Sequence, residues 1–188
     1  SGAGSRRWSA GRPDAKSHAT SGAIQAITSG ATKALTEQLG QAFGPGFNRE
    51  IPPIDATLEP GANTVGGIIF EIIDAGDSYD IEIEAINAIY THMLGADTHS
   101  ILAGQDHMDA VLASLQNMQA KGYQLILSSH HRPEVQADVA AKIAYVKKVR
   151  ELAAHSSGRD DFVAKVKEAY PDYAGLNYLD MTAGSLFP

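Results

Sequence analysis

Tyr79, Ile81 and Ile83 alternate strictly with Asp80, Glu82 and Glu84 across the stretch YDIEIEAI. Successive side chains of a strand point to opposite faces, so this pattern predicts a β-strand over 79–86 with one wet face. Just before it, GGIIFEIID (66–74) is nearly continuous apolar, as expected of a strand buried on both faces. NAIYTHML (87–94) reads as a third strand and YQLILSS (123–129) as a fourth. This β centre is flanked by helical periodicity. Ile24, Ile27, Ala31, Leu35 and Leu39 predict one helix over 21–43, capped by Thr20 or Ser21 and stopped by Gly44-Pro45-Gly46. Met108, Val111, Leu112, Leu115 and Met118 mark a second, capped by Asp106 and ended by Gly122. A third is predicted from Pro133, as a first-turn residue, to His155, and DDFVAKVKEAY gives the last before a loose tail, NYLDMTAGSLFP. AKSHAT (15–20) suits a short strand, and the proline-bearing arm 47–65 an irregular segment. Strands in series, then helix, strand and two helices, describe a layered α/β domain. The expected organisation is a flexible segment over 1–14 and a single domain over 15–188.

Charge and composition narrow the function classes. A formal net charge of −7 repels a phosphate backbone, and the short basic cluster Arg6, Arg7, Arg12 and Lys16 does not reverse that, so no nucleic-acid partner is expected. No apolar run is long enough to cross a bilayer, so no membrane association is expected either. Cysteine is absent, which removes disulfides, thiolate metal ligands and cysteine nucleophiles. A soluble, cytoplasmic protein is the expectation, and a cysteine-free chain suits a periplasm as well. No glycine pattern has phosphate-loop or dinucleotide spacing, and Ser128 and Ser129 lie in no Gly-x-Ser-x-Gly elbow.

The most unusual punctuation is LILSSHHRPE (125–134), an apolar strand that ends in two serines and two imidazoles. In chain order, AKSHATSGAIQAI (15–27), IIFEIIDAGDS (68–78), NAIYTHMLGADTHSILAG (87–104), DHMDAVLASLQNM (106–118) and LILSSHHRPE together resemble the later part of a metallo-β-lactamase-fold hydrolase. The resemblance runs from about Pro13 to the C-terminus. It implies a partial metallo-β-lactamase-like αβ/βα layered fold, a mixed sheet covered by helices. The superfamily's His-x-His-x-Asp-His motif does not occur in these 188 residues. Aligned on the resemblance, that motif lies upstream of Arg12, so the chain looks shortened at its N-terminus and stripped of its main ligand cluster. At two further ligand positions the expected histidine is Asp77 and the expected aspartate is His92. His130 matches a ligand residue for residue. His99 matches a histidine that some branches carry near the site, Asp97 beside it suits a role orienting an imidazole, and His131 occupies a variable position.

Two readings of function follow from the resemblance. The first is a catalytically degenerate member of the fold, acting as a binding or assembly module, with no cofactor and with a small-molecule ligand as a possible partner. The second is a metal-dependent hydrolase whose single zinc, or other divalent metal, sits on Asp77, His92 and His130, with His99, Asp97 and His131 lining the cleft. Two histidines and one carboxylate are the minimum protein set of a hydrolytic zinc site with an open position for water. A third reading makes the chain a fragment of a longer polypeptide, since it begins with Ser1 and not with methionine. His18, His107 and His155 are expected to be structural or solvated. An uncovered sheet edge and the apolar stripe of 21–43 predict a homo-oligomer, most simply a two-fold dimer.

Overall fold

The computed structural model describes residues 16–48, 53–74 and 79–188. The expected flexible segment 1–14 and Asp77 lie outside those residues. The chain divides into two compact units, Ser1–Tyr79 and Asp80–Pro188.

In the first unit β1 (His18–Thr20) runs parallel to β2 (Ala56–Leu58), with His18 opposite Ala56 and Thr20 opposite Leu58. Thr20 accepts a hydrogen bond from the Ala23 N–H at 3.3 Å and so caps α1 (Ser21–Thr28). The single helix predicted over 21–43 is broken, and α2 begins at Ala31 and ends at Phe43. The break has a local cause. The hydroxyls of Thr28 and Ser29 turn back onto the carbonyls of Ile24 and Gln25, and the Ser29 and Gly30 N–H groups both donate to Gln25. A side chain at Gly30 would place its Cβ 2.9 Å from the Ala26 Cα, so the close return of the chain requires glycine. Leu35, on the predicted buried stripe, is exposed.

The arm expected to be irregular contains β2 and also β3 (Gly61–Val65), which pairs antiparallel with β4 (Ile68–Asp74) from Gly61↔Ile72 to Val65↔Ile68. Gly66 and Gly67 make the connection, both at positive φ (60° and 82°), as a two-residue hairpin turn demands. This Gly-Gly pair was a hairpin signal in the sequence. The expectation that 68–73 is buried on both faces fails: Ile72 is buried, but Ile68, Ile69 and Ile73 are exposed.

The second unit carries a mixed sheet. β5 (Tyr79–Ile83), which begins at the boundary between the units, pairs antiparallel with β6 (Ala88–Thr91), and β6 pairs parallel with β7 (Leu125–Ser128). A parallel neighbour needs a crossover, and α3 (Gln105–Lys121) supplies it. Gly104 precedes this helix and Asp106 lies within its first turn, so Asp106 is not the cap. Gly122, left-handed at φ 68°, ends it as predicted, returning its N–H to Met118. α4 (Gln136–Ala154) starts later than Pro133 because Glu134 is held in extended backbone, its N–H and C=O both paired with Ile126 at 2.9 and 2.8 Å. α5 (Arg159–Ala169) follows, and the tail expected to be loose forms α6 (Leu176–Leu186). Met108, Leu112, Leu115 and Met118 of α3 join Val139, Val146 and Val149 of α4, Phe162 of α5 and Leu179 of α6 around Ile89 and Ile126 in one core. The acidic face of β5 is not simply solvated, because Glu82 accepts the Tyr123 hydroxyl and meets Lys121 at 3.2 Å. Burial and that carboxylate push the Tyr123 phenol well above its usual range.

Candidate functional site

Parallel pairing of β6 with β7 sets Thr91 opposite Ser128, so both strands end together. His92 and His130 come just past those ends, and their rings meet edge to face with centroids 4.8 Å apart. The Ser129 N–H donates to the His92 carbonyl at 3.2 Å and ties the two exits. Asp77, the third residue of the expected metal set, lies outside the described residues. Among the described residues no group of three His, Cys, Asp or Glu side chains could hold a metal ion. The described donors therefore amount to two imidazoles, one short of a hydrolytic zinc set.

His92 and His130 stand on a cavity of about 370 Å³, within the usual range for small-molecule sites. His107 also lines it, although its sequence position suggested a structural or solvated role. These three imidazoles are exposed and belong to the rim, whereas His99, Lys142, Leu94, Leu102 and Leu115 are buried. Met93, Ile101, Val111 and Tyr178 complete the largely apolar wall, with Ser100. No aspartate or glutamate among the described residues lines the cavity.

The loop from His92 to His99 is gripped by two opposite charges. The buried carboxylate of Glu134 accepts the N–H groups of Gly95 and Ala96 at 3.2 and 2.7 Å. The buried ammonium of Lys142 donates to the carbonyls of Gly95 and Thr98 at 2.8 and 2.6 Å. Burial lowers the Lys142 pKa to about 8, opposed by the nearby Glu134 and Asp97 carboxylates. From the other side the Ala174 carbonyl accepts the His99 N–H at 2.9 Å, and the Ala174 N–H donates to the Asp97 backbone carbonyl at 3.1 Å. Gly175 can turn away from this contact because it has no side chain: at φ 77°, a Cβ would lie 2.8 Å from Thr98 and from Tyr178.

Asp97 and His131 are paired with each other and do not line the cavity. The His131 Nε2 lies 2.7 Å from Asp97, its Nδ1 lies 3.3 Å from Glu134, and Arg132 donates to Asp97 at 3.1 Å. The hydrogen bond from His131, with the charges of His131 and Arg132, holds the Asp97 carboxyl below its usual range. His99 is fully buried. Its Nδ1 meets the Tyr145 hydroxyl at 3.1 Å, its ring packs against Tyr145 and Tyr173, and its Nε2 is buried with no hydrogen-bond partner. Lys142, Glu134 and Tyr145 were not anticipated. Lys142 carried a signal nonetheless, since a lysine three residues after Val139 and four before Val146 sits on the inward stripe of its helix.

Comparison with solved structures places this architecture. The chain superposes on a metallo-beta-lactamase family protein from Thermus thermophilus with a TM-score of 0.58 at 13% identity, covering 92% of this chain and 65% of that one. A beta-lactamase domain protein from Burkholderia ambifaria gives a TM-score of 0.50 at 15% identity, over 90% of this chain and 60% of that one. The fold is therefore metallo-β-lactamase-like, and identities this low show the fold alone. The chain spans less than two thirds of either protein's length. No protein-family model and no curated protein matches the sequence. No helix among the described residues is long and apolar enough to cross a membrane.

Proposed function

We propose that this chain is a catalytically degenerate metallo-β-lactamase-fold protein that acts as a binding module, holding a small molecule in the cavity at the ends of β6 and β7. The observation that carries the reading is the lining itself. It is mostly apolar, has imidazoles at the rim and one lysine inside, and among the described residues offers no carboxylate. Apolar walls with a few convergent polar groups are the usual make-up of a ligand site. A hydrolytic site needs, in addition, a positioned water and a group to take its proton, and imidazoles at the rim alone do not organise both.

The second reading, a metal-dependent hydrolase, has one specific observation in its favour, the contact between His92 and His130. In that case His92 and His130, with Asp77, would hold zinc or another divalent metal, which would supply Lewis-acid activation of a water. Turnover separates the two. Hydrolysis of ester, lactam and phosphodiester probes is expected at background with or without added zinc. Zinc-dependent turnover that His130→Ala abolishes in a folded protein, while His155→Ala leaves it unchanged, would establish the hydrolase instead.

A further inference from the structure

His99 combines complete burial, a place in the cavity wall and a ring nitrogen without a partner. A buried polar group left unpaired is costly, so its proton state indicates what should fill the space. The Ser100 N–H donates to the Tyr145 hydroxyl at 3.4 Å, and that hydroxyl lies 3.1 Å from the His99 Nδ1. Nδ1 is the acceptor within reach of the Tyr145 O–H, so the phenol gives its own proton to Nδ1. A neutral imidazole that accepts at Nδ1 carries its hydrogen on Nε2. Burial first, and then the positive charges of Lys142 and Lys167, depress the His99 pKa and keep the ring neutral. Tyr145 stands outside the cavity lining and Nδ1 is taken by it, so of the two ring nitrogens Nε2 is the one still without a partner.

Lys142 adds the second donor. An ammonium has three N–H groups, and two of them go to Gly95 and Thr98. By that count one remains, on a buried cation that lines the cavity and also stands 4.8 Å from the centre of the Tyr145 ring. We infer that the cavity takes a small organic carboxylate, one oxygen accepting the Nε2–H of His99, the Lys142 ammonium as counter-charge, and Leu94, Leu102 and Leu115 around its hydrocarbon body. This rests on the binding-module reading and names its ligand class. A carboxylate fits better than a phosphate ester, whose three oxygens ask for more donors than two and commonly an arginine, which the described lining lacks.

The test uses the full chain and a panel of straight-chain and arylalkanoic acids of about four to ten carbons, a size that suits an ordinary small-molecule cavity, each with its primary amide, alcohol and phosphate monoester. Calorimetric titration is expected to show the acids binding at least about tenfold more tightly than their amides and alcohols, the usual margin for a hydrogen bond to a charged group. His99→Phe should remove that margin, and His99→Gln, which keeps an N–H donor, should restore part of it. Should the variants fail to fold, ¹⁵N spectra of histidine-labelled native protein decide, with His99 expected protonated at Nε2 and its resonance shifted by the acid. An unprotonated Nε2, or equal or tighter binding of the alcohols or phosphate esters, overturns the carboxylate assignment and leaves the binding module standing. If no member of the panel binds, both fall.

Discussion

Glu134→Ala is expected to lower the unfolding free energy by about 3–5 kcal/mol, the cost typical of breaking a buried, hydrogen-bonded charge pair. The carboxylate is buried and accepts the Gly95 and Ala96 N–H groups, both themselves buried, and it lies 3.3 Å from the His131 ring. Its charge also favours the protonated form of Lys142. Truncation strands two backbone donors and leaves the ammonium with less compensation. Glu134→Gln keeps an acceptor oxygen and should cost less than the alanine variant. Urea denaturation measures both, and a loss below about 1 kcal/mol for alanine would show that the loop is held by other contacts.

Lys142→Met is expected to cost about 2 kcal/mol at pH 7, because the carbonyls of Gly95 and Thr98 lose their donor while an unfavourable buried charge is also removed. The pH dependence is more diagnostic than the size. Burial lowers the Lys142 pKa from 10.5 to about 8 in the folded protein. Above pH 8 the folded state releases a proton that the unfolded chain keeps until pH 10.5, so this lysine makes stability rise with pH in that window. The gap between native protein and variant should therefore widen by about 1–2 kcal/mol from roughly pH 7.5 to 9.5. Taking the difference between the two proteins cancels buried tyrosines away from the substitution, such as Tyr123, whose raised pKa acts in the opposite direction as pH climbs. A constant gap would place Lys142 in water, and a narrowing one would mean that folding favours its ammonium; either contradicts a buried, depressed lysine.

Elements with strong periodicity were legible in the sequence. A strand at β5, the α3 stripe and the Gly122 stop appear in the fold, although β5 ends at Ile83 and is half-buried on both faces instead of wet on one. The fold resemblance was legible too, because it rested on ordered strand and loop punctuation over most of the chain. The misses have physical causes. The apolar run Ile68–Ile73 cannot report, by composition, whether a strand is central or half of an exposed hairpin, and only Gly66-Gly67 distinguished the two. The break at Ser29–Gly30 depends on hydroxyls competing for helix carbonyls, which an apolar stripe does not register. At the site, the sequence singled out His92, His99 and His130, which meet the same cavity, but assigned Asp97 and His131 to it as well. Those two side chains satisfy each other, a pairing across 34 positions that no local pattern contains. Lys142, although it falls on the inward stripe of its helix, was passed over for the opposite reason. A buried cation held by backbone carbonyls has no partner residue type to look for.

The balance between binding module and metallohydrolase turns on whether His92 and His130 keep a resident ion. Elemental analysis of untagged protein, purified without chelator or added metal, measures this directly. Zinc, iron and manganese are each expected well below one per chain. About one transition metal ion per chain, lost together with His130 in a folded His130→Ala protein, would contradict the binding-module reading.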